Sequence, residues 1–490
     1  MKKEMVFLTV ISAIILFLFG CTTTVAKSSL SPQDMTFDKL FSKQKPVIPK
    51  RGVHMDLKGL PPTAGRFVEL LKIFASARYN VVLVEWEDSF PWTVDKRFRS
   101  SAAYTPDDIR RFQKVAKELG LELIPLVTCL GHMETPLSVP GYEKLREVPE
   151  YSNCLNPLAP GSRKLIQDMV DDVLKLMPDV KHFHLGGDEA WLFGKNPDSK
   201  AFIEKHGKGA LYLHHVEPIL DNLNSRNIRP ILWHDMMIDW DSEALKSLAK
   251  KCDLMTWGYQ GDPDTTKRHF KTEYIKRFHE HGIVLWGATA YKGAEGYNVD
   301  LPDIAGRAEN AKAWARVAQR FDYKGVVATA WSRYSVDTVQ CVPIDAALDS
   351  LINVGVILHD GTDPVDGLEA CIDALAELCE KKRFEACKKA MTRLTDVRKS
   401  SWEQVQRVRE QLALCKVDPR RTSARNRVQG LKKLKHLYWA VTKAERIGDE
   451  IRQSFDGLVP EVFIEEYIAT RVTPLREELD YLTAKADMKK

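Results

Sequence analysis

Short apolar runs and longer amphipathic stretches alternate along the middle of this chain. The apolar runs cover residues 52–57, 80–86, 122–128, 181–187, 229–235, 253–259, 283–291 and 325–331. Each has the length of a buried strand rather than a helix. Between them, residues 64–77, 106–119, 163–176, 274–281 and 305–321 repeat their apolar positions at helical spacing. Eight strand–helix alternations over residues 50–360 predict an α/β fold, a (β/α)8 TIM barrel. A doubly wound open sheet is the competing arrangement. It would want a glycine-rich nucleotide turn after the first strand, and the sequence has none.

Past residue 360 the strand-like runs stop. Leu368, Cys371, Ile372, Leu375, Leu378 and Cys379 recur at helical spacing, as do Leu434, Leu437, Val441, Ala444, Ile447 and Ile451. Residues 361–490 are therefore expected to form a C-terminal α-helical domain beside the barrel, its charged faces solvated.

The N-terminus follows a different pattern. Lys2 and Lys3 precede an apolar run from Met5 to Phe19, which stops at Gly20-Cys21. This charged start, apolar middle and small residue before the break match a secretory signal. The run is shorter than the ~20 residues a spanning helix needs. Leu18-Phe19-Gly20-Cys21 also resembles the bacterial lipobox. That resemblance implies cleavage before Cys21, lipid on its thiol and a membrane-tethered mature protein. Residue 22 is Thr rather than the Asp of inner-membrane retention, so the expected site is the outer membrane of a bacterial envelope. Residues 21–49, rich in Thr, Ser, Lys and Pro, are read as a linker to the folded body.

Composition adds little beyond this. The net charge of +5 falls to +4 when Lys2, Lys3 and Glu4 leave with the signal, and its spread gives no case for nucleic acid. The nine cysteines include no C-x-x-C pair and no metal-like spacing with His, so neither a metal nor an organic cofactor is implied. Cys371, Cys379 and Cys387 recur every eight residues and are expected to be buried thiols on a helix face.

Active sites of such barrels gather at the C-terminal strand ends. In this sequence those ends carry Asp56; Glu85-Trp86-Glu87-Asp88; Gly131-His132; Asp188-Glu189; Trp233-His234-Asp235; Trp257-Gly258-Tyr259; Tyr291-Lys292; and Trp331-Ser332-Arg333-Tyr334. A single aromatic is more often core than contact. Together at one rim, aromatic faces and carboxylates suit a carbohydrate pocket. The pair Asp188-Glu189 also fits a bland reading, an acidic first turn of a helix. As chemistry it is informative, because a conventional retaining glycosidase faces two carboxyls across the bond, about 5–5.5 Å apart. Neighbours on one strand end do not easily do that. A 2-acetamido group on the substrate can instead supply the nucleophile, with Glu189 as acid and then base and Asp188 orienting the acetamide. A conventional nucleophile, Asp235 or Glu87, is the alternative.

These residues resemble glycoside hydrolase family 20, the β-N-acetylhexosaminidases. His184-Leu185-Gly186-Gly187-Asp188-Glu189 is similar to that family's H-x-G-G-D-E motif, and Arg51-Gly52-Val53-His54-Met55-Asp56 to its R-G-x-x-x-D opening. The resemblance implies that Arg51 binds sugar hydroxyls and that His132 belongs to the third-strand G-H. It implies that Trp233 walls the acetamide pocket with Trp257 and Trp331, that Asp235 contacts a hydroxyl, and that Tyr291 bonds the acetamide oxygen. Val53–Gly59 with Pro61-Pro62, Glu85–Pro91, Leu145–Val148 and Leu155-Asn156-Pro157 resemble the hexosaminidase D-like branch. Common members carry a β-rich domain before the barrel, and residues 21–49 are expected to be too few to hold one. Arg333 stands where they carry Glu, which implies different recognition of the outer hydroxyls. The expected activity is exo-acting hydrolysis of terminal N-acetylhexosamine from a glycan. The alternatives are a glycan-binding lipoprotein without catalysis and a retaining glycosidase for sugars lacking the acetamide.

Overall fold

The computed structural model describes residues 36–487, apart from Lys43, Tyr297-Asn298 and residues 418–423. The expected signal, Cys21 and the first part of the linker lie outside the described residues. Eight parallel strands close into a barrel in sequence order: β1 Lys50–Asp56, β2 Val81–Glu85, β3 Glu122–Leu126, β4 His182–His184, β5 Arg229–Trp233, β6 Asp253–Trp257, β7 Leu285–Lys292 and β8 Gly325–Ala330. Around them run α1 Ala64–Ser76, α2 Pro106–Glu118, α3 Ser162–Leu176, α4 Pro197–His206, α5 Lys208–Ser225, α6 Ser242–Lys251, α7 Thr272–Glu280, α8 Ile304–Arg320 and α9 Leu348–Asp360.

Strand alternation separates two cores. Val81, Leu83, Ile124, Leu126, Ile231, Trp233, Met255, Trp286, Ala288 and Val327 fill the barrel interior. Val53, Met55, Val82 and Val84 face the helices instead. The same period puts Gly52, His54 and Asp56 of β1 inward. Gly52 has to be small, because a Cβ there would sit 2.7 Å from the Val327 side chain across the barrel seam. The β7–β8 register shifts between Ala290 and Lys292, leaving Tyr291 as the extra residue of a bulge.

Two boundaries differ from the sequence expectation. The linker expected over residues 21–49 is folded from residue 36 onward. Phe37, Leu40, Phe41 and Ile48 are buried with the helix-facing core, and Ser42 donates its backbone and hydroxyl protons to Asp360 at 2.8 and 2.6 Å. Apolar side chains three and four apart outweigh the polar composition around them. At the other end, α10 Gly367–Ala374 and Phe384 join the barrel's core. A separate core forms between α11 Lys381–Val417, α12 Ala424–Phe455 and α13 Glu461–Asp487, with Leu437, Val441, Ala444, Ile447 and Ile451 fully buried in it. Cys371 and Cys387 are buried but Cys379 is exposed, since it ends a 3-10 turn at φ 60° and the helical face is not continuous.

This three-helix bundle sits on the barrel rim through buried polar links. Asp300 accepts from Arg398 and Arg471 at 2.5 Å each and from the Tyr467 hydroxyl at 2.6 Å. Gln340 donates to the carbonyls of Gly59 and Phe463, both at 3.1 Å. Among the described residues no helix is long and apolar enough to cross a membrane, and no group of His, Cys, Asp or Glu is arranged to hold a metal ion.

Candidate active site

After β4 the chain turns through Gly186 (φ 58°) and Gly187 (φ 82°), left-handed backbone that a side chain would strain. Space is lacking as well: a Cβ at Gly187 would lie 2.2 Å from the Tyr212 hydroxyl, which donates to the Gly187 carbonyl at 2.9 Å. A Cβ at Gly131 would lie 2.0 Å from the Asp188 carbonyl oxygen. That close approach sets His132 against the acidic pair, its Nε2 3.4 Å from Glu189 Oε2 and 3.8 Å from Asp188 Oδ2. Glu189, His132 and Glu87 all hold φ values of 45–55°, a cluster of non-glycine strain on one rim.

Asp235 braces the acid. One of its oxygens accepts the Glu189 backbone N–H at 2.9 Å, and the other accepts the Trp257 indole N–H at 3.1 Å. It thereby orients both Glu189 and the aromatic wall, rather than projecting into the cavity as a hydroxyl contact. The cavity encloses about 330 Å³, and His132, Asp188, Glu189, Trp257, Tyr259 and Trp331 line it. Tyr259 stacks on Trp257 (5.3 Å, 25°) and faces Trp331 (6.0 Å, 58°). Asp188 and Glu189 are the only carboxylates on the lining among the described residues.

The two acids occupy unlike environments. Burial pushes the Asp188 carboxyl up to about 8; nearby Asp235 and Glu189 add to this, and His132 opposes it. Asp188 is 7% exposed, whereas Glu189 is only half-buried. Burial would lower His132, yet its bond to Glu189 and the charges of Asp188 and Glu134 hold it up at about 10. A cationic imidazole thus faces the acidic pair, with the buried Asp188 carboxyl held above the usual carboxylate range. Behind Trp331, Lys58 is buried among Asp56, Glu85 and Glu87, with its ammonium 5.5 Å from the Trp331 ring. Burial drives Glu87 up to about 8 against the pull of Lys58, and Thr135 donates its hydroxyl to Glu87 at 2.8 Å. Neither Glu87 nor Asp235 faces Glu189 across the cavity.

Three expected site residues lie elsewhere. Arg51 sits at the opposite end of the barrel, where its guanidinium donates to the carbonyls of Ile48, Pro49 and Arg78. It lies on the helix-facing parity of β1 and five residues, roughly 16 Å, below the rim. Tyr291 stands on the helix-facing parity of β7, opposite to the inward Trp286 and Ala288, and is fully buried in that core with its hydroxyl unpartnered. Trp233 is 2% exposed in the barrel interior, 4.4 Å from His184 and 6.5 Å from Trp331. It supports the Trp331 wall from below and does not line the cavity. Arg333 is held by the carbonyls of Val336 and Thr338 and by Glu466 of α13 at 2.5 Å. Sequence reasoning passed over Tyr259, although it noted the residue at its strand end. It also passed over Tyr334 and the segment Arg268-His269-Phe270, which closes the cavity from the β6–α7 loop. That segment lies about ten residues beyond its strand, where no spacing signal reaches.

The chain matches the description "Glycosyl hydrolase family 20, catalytic domain" over residues 86–340. It is 32% identical over 321 residues to hexosaminidase D of Bos taurus, covering 63% of this chain and 92% of the relative. It is likewise 32% identical over 325 residues to hexosaminidase D of Homo sapiens, covering 64% and 66% respectively. Its fold is similar to that of a Flavobacterium johnsoniae chitobiase, with a TM-score of 0.53 at 14% identity over 91% of this chain and 73% of that one. With the acidic pair, its histidine and an aromatic-walled cavity at one barrel rim, the chain belongs to glycosyl hydrolase family 20 and is a glycoside hydrolase of the β-N-acetylhexosaminidase class.

Proposed function

We propose that the protein is an exo-acting, retaining β-N-acetylhexosaminidase that removes terminal N-acetylglucosamine or N-acetylgalactosamine by substrate-assisted catalysis. The observation that carries this reading is that the cavity's two carboxyls are chain neighbours, so they act from one side of the bond. Glu189 protonates the glycosidic oxygen as that bond breaks. The substrate's acetamide oxygen attacks C1 and forms an oxazolinium ion. Asp188 accepts the acetamide N–H and offsets the developing positive charge, while Tyr259 offers its hydroxyl to the acetamide oxygen. Glu189 then takes a proton from the water that attacks C1, which returns the acetamide and releases the sugar with its configuration retained. His132 holds Glu189 in place between the two steps. A pocket at one barrel rim, rather than a long cleft, favours exo action over cleavage within a chain. Sequence features at Lys2–Cys21 support a further reading, a lipid anchor on Cys21 that places the enzyme in a bacterial envelope, and mass spectrometry of the mature N-terminus checks it.

The test compares aryl β-glycosides of N-acetylglucosamine, N-acetylgalactosamine, glucose and galactose with the full chain and Glu189→Gln. Turnover of acetamido sugars alone, reduced at least 10²-fold by Glu189→Gln, is expected. Turnover of the plain sugars would point to a protein nucleophile and overturn the role given to Asp188.

A further inference from the structure

The bundle helix α12 carries a feature the catalytic site does not use. Lys432, Lys435, His436, Trp439, Lys443 and Arg446 are all exposed. At 100° per residue they fall within about 100° of arc, one continuous stripe about 21 Å long. Trp439, at its middle, is 55% exposed. The Lys435 ammonium lies 4.9 Å from its ring centre, and the His436 ring lies tilted against it at 5.9 Å. Among the described residues, none of Lys432, Lys435, Lys443 and Arg446 has a carboxylate within salt-bridge distance.

Several cations elsewhere on the bundle are paired. Arg393 meets Glu450, Arg409 meets Glu478, Arg452 meets Glu465 and Arg476 meets Glu445. Among the described residues the four cations of the stripe have no carboxylate facing them, and an exposed indole in such a row gains nothing from water. Cations in line on one helix, with an amphipathic aromatic at their centre, match the headgroup layer of an anionic lipid surface.

We propose that the α12 stripe is a peripheral docking face for a membrane rich in anionic phospholipid. Lys432, Lys435, Lys443 and Arg446 neutralise headgroup phosphates, and Trp439 seats its ring at the acyl boundary. The inference is independent of the catalytic reading, because none of these residues lines the cavity.

The experiment is co-sedimentation of the full chain with vesicles of phosphatidylcholine alone or with 30% phosphatidylglycerol. It compares the wild type, Trp439→Ala and the fourfold variant K432Q/K435Q/K443Q/R446Q, with hydrolysis of a soluble aryl glycoside as the folding control. Each cation is worth roughly a factor of five in partitioning at an anionic surface. The fourfold variant should therefore lose roughly 10²-fold or more of the anionic-vesicle binding, down to the neutral-vesicle level, with hydrolysis unchanged. Trp439→Ala should lose roughly tenfold, and 0.5 M salt should abolish the wild-type preference. Equal binding of wild type and fourfold variant to anionic vesicles would overturn the proposal. Preference for heparin or duplex DNA over the vesicles would overturn it in favour of a polyanion site.

Discussion

Asp188 stores a measurable cost, and Asp188→Asn should release it. The carboxyl is 7% exposed, and burial holds it up at about 8 against an ordinary value of 3.8. A carboxyl raised on folding favours the protonated form, so its charge counts against the folded state as pH rises from 4 towards 8. At about 1.4 kcal/mol per decade, ionising it in place costs at most ~6 kcal/mol. Water entering the open cavity brings the expected figure nearer ~2 kcal/mol. The amide keeps the shape and carries no charge. The gain in stability from Asp188→Asn should be small at pH 5, grow through pH 7 and level off above pH 8, reaching roughly 2–4 °C in melting temperature. Melts of both proteins at pH 5, 7 and 9 measure this, alongside loss of acetamido-glycoside hydrolysis. With His132→Gln in both backgrounds the pH dependence should steepen, since the facing cation is gone. A difference between the proteins that does not change with pH would refute the reasoning, because it would place the carboxyl's ordinary titration outside the folding equilibrium.

Two further outcomes follow from the site's geometry. Tyr259→Phe should lower kcat/KM for acetamido sugars by roughly 10–100-fold, whereas Tyr291→Phe should leave it unchanged and raise stability slightly by removing an unpartnered buried hydroxyl; paired kinetics and melts separate the two tyrosines. Arg51→Ala should keep kcat/KM within about twofold yet cost roughly 1–3 kcal/mol in a denaturant titration, since three carbonyls lose their donor; a selective rise in KM would return Arg51 to the sugar.

What the sequence made legible was what periodicity and strand ends encode. All eight apolar runs overlap strands, because a buried parallel barrel needs continuous short hydrophobic segments. Asp188, Glu189, His132, Trp257 and Trp331 meet at one cavity because each stands at or just after a strand end. Arg51 was misjudged because a motif fixes chain distance and not strand depth, and its parity on β1 is that of Val53 and Met55. Tyr291 was misjudged for the same reason: its parity on β7 is that of Leu285, opposite to the inward Trp286 and Ala288. Arg268 and His269 reach the cavity from a long loop, whose path depends on tertiary packing. His269 is placed there by its bond to the Trp257 carbonyl and by ring contact with Trp257 at 4.0 Å.

The links between bundle and rim tie the two cores together despite their separate hydrophobic clusters. Arg333 and Gln340 leave β8 just beyond the catalytic wall residue Trp331, and their partners Glu466 and Phe463 lie on α13. Removing α13 would leave Arg333 without its carboxylate and Asp300 without Arg471 and Tyr467, all of them groups that are buried in the intact protein. Truncation before residue 461 should therefore loosen the Trp331 side of the sugar pocket before it unfolds the barrel. The last helix thus acts as a clasp on the active site: a helical tail far from the chemistry in sequence sets how firmly one wall of the pocket is held.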